Sequence, residues 1–67
     1  MKNDTHARVL DAYFWRFVDR GDAPESTPLF TGIFEGESLS LVVAKKFDLP
    51  LDEAESAIEI AYSEVAL

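Results

Sequence analysis

Apolar residues recur at helical spacing in three separate stretches of the chain. In the first, Ala7, Leu10, Tyr13, Phe14, Phe17 and Val18 fall on one face when successive residues are placed at steps of ~100°. Arg8, Asp11, Arg16 and Asp19 fall on the opposite face. The spacing predicts a helix from about Thr5 to Arg20. Asp4 or Thr5 stands where free amides at its start need an acceptor, and Gly21 follows as a left-handed stop.

The second stretch runs from about Glu37 to Phe47, with Leu39, Val42, Val43 and Phe47 on one stripe and Ser38 placed to cap. Ser38 to Val43 also alternates as a strand would, and the helical stripe is preferred over it. Asp48-Leu49-Pro50 breaks the pattern. A third helix is then predicted from about Leu51 to Ala66. Asp52 and Glu55 are spaced as a capping box at its start, and Leu51, Ala54, Ile58, Ala61, Tyr62 and Val65 form its core face. Residues 21–36 hold two of the three prolines and all three glycines, which makes them a long loop. Within it, Leu29 to Phe34 is apolar enough to line the core or form a short extended piece.

These elements give an all-α fold, a single small acidic helical domain over residues 1–67 with three helices. The last two form a hairpin resembling a helix-turn-helix. Val43, Ala44, Phe47, Leu49, Ala54 and Ala57 supply the small or apolar positions such a crossing needs, although Asp48 stands where its turn often has glycine. A recognition helix supplies cations to phosphates. The third helix carries Asp52, Glu53, Glu55, Glu59 and Glu64 and no Lys or Arg, so the shape is expected to pack and not to read DNA.

Composition narrows the function further. Cysteine is absent from the 67 residues, so no disulfide can staple so short a chain. A residue content that is 48% hydrophobic, with five Phe, points to a dense core as the substitute. The net charge of −7 disfavours direct contact with nucleic acid or an anionic membrane. No apolar run is long enough to span a bilayer and the N-terminus is polar, which leads to a cytoplasmic expectation. The charge is unevenly placed. Residues 1–20 carry four basic and three acidic side chains, residues 21–47 two and four, and residues 48–67 none and six.

On the third helix Asp52, Glu55 and Glu59 form one stripe, while Glu53 and Glu64 flank the core on its other side. Six charges between Asp48 and Glu64 span about 25 Å at ~1.5 Å per residue. Duplex DNA carries one charge per ~1.7 Å, so this helix alone is too dilute to imitate it, but it suffices to compete for a basic protein site. Trp15 projects from the polar side of the first helix. It is either covered by a neighbouring segment or exposed as an aromatic anchor of the type enriched at binding hot spots.

Leu41, Ile60 and Leu67 also lie off their core faces and could form a partner or self-association surface. His6, the only histidine, leaves zinc coordination and nucleophilic catalysis without ligands or a base, so no metal, cofactor or catalytic residue is expected. Arg20-Gly21-Asp22 spells an adhesion tripeptide, and Pro24 to Thr27 a degradation signal. A helix stop and ordinary loop chemistry account for both.

The expected function is a protein-binding inhibitor or adaptor of the kind found in phages and mobile elements. It would present Trp15, Asp52, Glu53, Glu55 and Glu59 to a protein partner with a basic surface. The alternative is a helix-turn-helix-like regulatory or structural module that forms a homodimer without binding DNA directly.

Overall fold

The first helix, α1, covers residues 5–19 in the computed structural model, which describes residues 4–66 of the chain. It is α-helical over Thr5–Leu10 and Arg16–Asp19 and widens into a π-helix over Asp11–Trp15. In that wide turn the Arg16 amide reaches back five residues to the Asp11 carbonyl. Val9, Leu10, Tyr13 and Phe14 are buried, Phe17 and Val18 half-buried, and Ala7 exposed. Ala7 is thus removed from the expected face and Val9 joins it. One uniform wheel cannot describe both halves, because the π turn carries more residues than the ordinary 3.6. At the N-terminus the Asp4 carbonyl, not a side chain, accepts the Ala7 and Arg8 amides. Gly21 ends the helix as expected. At φ +109° it donates to Val18 O at 3.0 Å, and the Asp22 amide donates to Phe17 O at 3.0 Å.

Residues 21–36 are folded, which corrects the expectation of a long loop. Pro24–Ser26 forms a 3₁₀ turn and Pro28–Thr31 a short helix, α2. Each proline sits at a first helical position, where its missing N–H costs nothing and its fixed φ helps start the turn. Thr27 between them is fully buried and donates its hydroxyl to Pro24 O at 2.7 Å. Gly32 ends α2 at φ +75°. Strand β1 (Ile33–Phe34) then pairs antiparallel with β2 (Glu37–Ser38), in the register Ile33 to Ser38 and Phe34 to Glu37. Glu35 and Gly36 both have positive φ, 52° and 82°, as a two-residue type I′ turn requires.

Helix α3 covers Leu39–Phe47 and starts two residues later than its apolar stripe suggests, because Glu37 and Ser38 are committed to the hairpin. The Leu39 amide donates to Gly32 O at 2.8 Å. The Ser38 hydroxyl makes no capping bond and pairs with Ser40 Oγ at 2.9 Å. Asp48 stops α3 at φ +57°, in the left-handed role usually held by glycine, and the Leu49 amide closes on Ala44 O.

Helix α4 covers Leu51–Val65. Its first amides are satisfied by Pro50 O, which accepts from Glu53 and Ala54. Asp52 lies inside the first turn and accepts only the Glu53 amide, so the expected capping box is not formed. The buried face of α4 is Ala54, Ala57 and Ala61, with Ile58 and Val65 half-buried. Leu51 and Tyr62, expected in the core, are exposed, and Ala57 takes their place. Three alanines let neighbouring backbones approach closely, and the larger side chains are turned to the edges. One core joins all four helices, with Val9, Leu39 and Val43 among its fully buried members. The all-α class stands, with the short α2 and the small hairpin added to the three long helices. Among the described residues no helix is long and apolar enough to cross a membrane.

Candidate functional site

Burying its alanines against α1 and α3 gives α4 two solvent-facing flanks. On one, Asp52, Glu55, Glu59 and Tyr62 follow one another at intervals of three or four residues, the spacing that aligns side chains along a helix. They form one wall of a groove of about 600 Å³. Leu29 and Gly32 at α2 and Ser38 to Ser40 at the start of α3 form the other wall, with the buried Leu39 beneath it, and Ile58 adds apolar surface. The hairpin and the short helix make this second wall. The groove therefore depends on the segment that the sequence alone presents as a loop.

The other flank holds the remaining acids. Glu53 borders a small depression of about 180 Å³ beside Thr5, His6 and Ile60. Glu64 Oε2 faces His6 Nε2 at 3.4 Å. The structure thus brings Asp52, Glu55 and Glu59 together and places Glu53 on the opposite side. Among the described residues none of the three groove acids has an ion-pair partner. The pairs Arg20–Asp22 and Lys45–Glu37 lie on other elements. Adjacent like charges on one helical stripe repel, so this wall is electrostatically unrelieved.

Trp15 is 44% exposed, which settles its position in favour of the uncovered alternative. It is the last residue of the π turn, an element rare in proteins and frequent at functional sites. Its ring meets Phe14 edge-on at 4.8 Å, Phe14 stacks on Phe30 at 5.7 Å, and Phe30 meets Tyr62 at 4.9 Å. This chain of rings connects Trp15 to the end of the acidic wall, where Tyr62 is 43% exposed. Sequence reasoning missed Tyr62 and Phe30 as parts of this surface. The available signal was that Tyr62 continues the spacing of Asp52, Glu55 and Glu59.

No protein-family model, curated protein or solved structure matches the chain. Chemistry at the groove must therefore be read from its own residues. Among the described residues no group of three or more His, Cys, Asp or Glu is arranged to hold a metal ion. Leu41 and Ile60 are exposed, as a self-association surface would require, but they belong to different helices, α3 and α4. Leu67, the third member of that surface, lies outside the described residues.

Proposed function

We propose that the chain is a protein-binding module, an inhibitor or adaptor, whose α4 groove receives a basic segment of a partner protein. The observation that carries this is the unpaired stripe of Asp52, Glu55 and Glu59 along a groove with apolar surface, ending in the exposed ring of Tyr62. A stripe of carboxylates supplies long-range attraction to cations and rejects anionic partners. Ile58 and Tyr62 supply apolar contact that a simple charged surface lacks. A groove of about 600 Å³ takes a few side chains, so the fitting ligand is a short stretch with Lys or Arg and an apolar anchor. Arginine suits it best, because its planar head stacks on an aromatic face such as that of Tyr62. A protein surface that ordinarily holds nucleic acid offers this combination, and occupying it would inhibit by competition.

Selection of a random peptide library on the immobilised protein tests the proposal whichever protein the partner is. Counter-selection uses a variant carrying Asp52→Lys, Glu55→Lys and Glu59→Lys. Asp52→Asn alone serves as a control for the loss of an acid from the first helical turn, worth ~0.3–1 kcal/mol. Enriched peptides should combine Lys or Arg with an aromatic or aliphatic residue and should fail to bind the triple variant. Enrichment of acidic or purely apolar peptides, or equal binding to a folded triple variant, would overturn the proposal.

A further inference from the structure

A second cavity, independent of the acidic groove, lies between the C-terminal half of α1 and the hairpin and measures about 520 Å³. Its aromatic surface comes from Tyr13, Phe17 and Phe34. Phe34 meets Tyr13 edge-on at 5.3 Å and Phe17 at 6.4 Å. Two backbone features already described shape its rim. The Gly21 stop turns Asp22 back beside Arg20, and the type I′ turn sets Glu35 at the cavity next to Phe34.

The rim holds Arg16, Arg20 and Lys46, which is half of the six basic residues in a chain of net charge −7. Arg20 is engaged twice, by Asp22 Oδ2 at 3.2 Å and by the Phe17 ring at 4.7 Å. Arg16 and Lys46 have no ion-pair partner among the described residues. Burial raises the Tyr13 phenol, opposed by the Arg16 charge and aided by Glu35, so Tyr13 stays a neutral hydrogen-bond donor at ordinary pH.

We propose that this cavity binds a small amphipathic monocarboxylate, its carboxylate held by Arg16 and Lys46 and its apolar body laid on Phe17 and Phe34. The charge count selects the class. Three cations against Asp22 and Glu35 leave one net positive charge in the cavity. A carboxylate neutralises that charge, whereas a phosphate monoester, a dianion above its second pKa of ~6, would leave an excess negative charge in an already acidic protein. The aromatic surface favours an acid with a ring or branched chain over acetate or formate.

Titration of the ¹⁵N-labelled protein with phenylacetate, phenyl phosphate and benzyl alcohol tests the site and the class together. Phenylacetate should give saturable shifts centred on Arg16, Phe34 and Lys46, with the weakest effects on α4. It should bind at least tenfold more tightly than either of the other probes. Arg16→Gln and Lys46→Gln, both at exposed positions, should each weaken it about tenfold, with the fold verified by circular dichroism. Lys45→Gln, whose ammonium pairs with Glu37 outside this cavity, should leave the affinity unchanged. Equal binding of benzyl alcohol would show a merely apolar cleft, and tighter binding of phenyl phosphate would show the wrong anion class. Either result, an unsaturable titration, or unaltered affinity in both Gln variants overturns the proposal.

Discussion

Glu55→Gln should stabilise the protein while weakening its binding to a basic partner. Glu55 lies three residues after Asp52 and four before Glu59, so it has a like charge on each side along the α4 stripe. Among the described residues it has no ion pair to lose. Each repulsive pair at this spacing costs ~0.2–0.5 kcal/mol, so removing two should gain about 0.4–1 kcal/mol. Gln forms helix about as well as Glu, and position 55 lies beyond the first turn, where the helix dipole acts most strongly. For a domain of 60–100 residues, ~1 kcal/mol moves Tm by ~4–8 °C, which implies a rise of about 2–8 °C. Thermal unfolding followed by circular dichroism measures it. In ~1 M salt, where screening acts over ~3 Å, most of the gain should disappear. A lower Tm, or a gain indifferent to salt, would refute the picture of an electrostatically unrelieved wall.

Other positions test the scaffold that holds the groove. Leu39 is fully buried and lines the groove from below, so Leu39→Ala should cost ~2–5 kcal/mol. A domain this small has only ~3–5 kcal/mol in hand, and a largely unfolded far-ultraviolet spectrum at 25 °C is expected. Asp48→Val should lower stability by ~1–2 kcal/mol by placing a β-branched residue at positive φ, whereas Asp48→Gly should leave it equal or higher. Tyr13 has a phenol pKa raised above its ordinary value of 10.0, chiefly by burial. The native state therefore retains a proton that the unfolded chain has lost, and this contribution to stability falls as pH rises from about 10 through the folded pKa. Tyr13→Phe should flatten that alkaline decline in denaturant unfolding curves. An unchanged slope would place the titration elsewhere.

The long helices were legible because their signals are local. The Gly21 stop, the apolar period of α1 and the Pro50 break before α4 each act within a few residues. The acidic stripe was legible for the same reason, since helical spacing alone aligns Asp52, Glu55 and Glu59. What stayed hidden depends on packing. Pro24 and Pro28 read as breakers in sequence, yet at first helical positions they start turns. On α4 the hairpin pattern already marks Ala54 and Ala57 as packing positions, whereas the apolar stripe wrongly adds Leu51 and Tyr62, because hydrophobicity rewards size while close helix contact selects small residues. The second wall of the groove and the rings linking Trp15 to Tyr62 bring together residues distant in sequence, which periodicity cannot register. The π turn likewise has no compositional mark in Asp11 to Trp15.

Trp15 is the chain's one tryptophan, exposed and joined to Tyr62 at the groove through Phe14 and Phe30, so a partner that extends from the groove onto these rings changes its fluorescence. The decisive measurement is a titration with a peptide selected on the protein, followed at Trp15 in low and high salt. The emission should move to shorter wavelength as the ring loses water, and the affinity should fall as salt screens the groove carboxylates. The same peptide should not bind the folded Asp52→Lys, Glu55→Lys, Glu59→Lys variant. Salt-independent binding without a Trp15 response, retained in that variant, would contradict the assignment of the α4 groove as the docking surface.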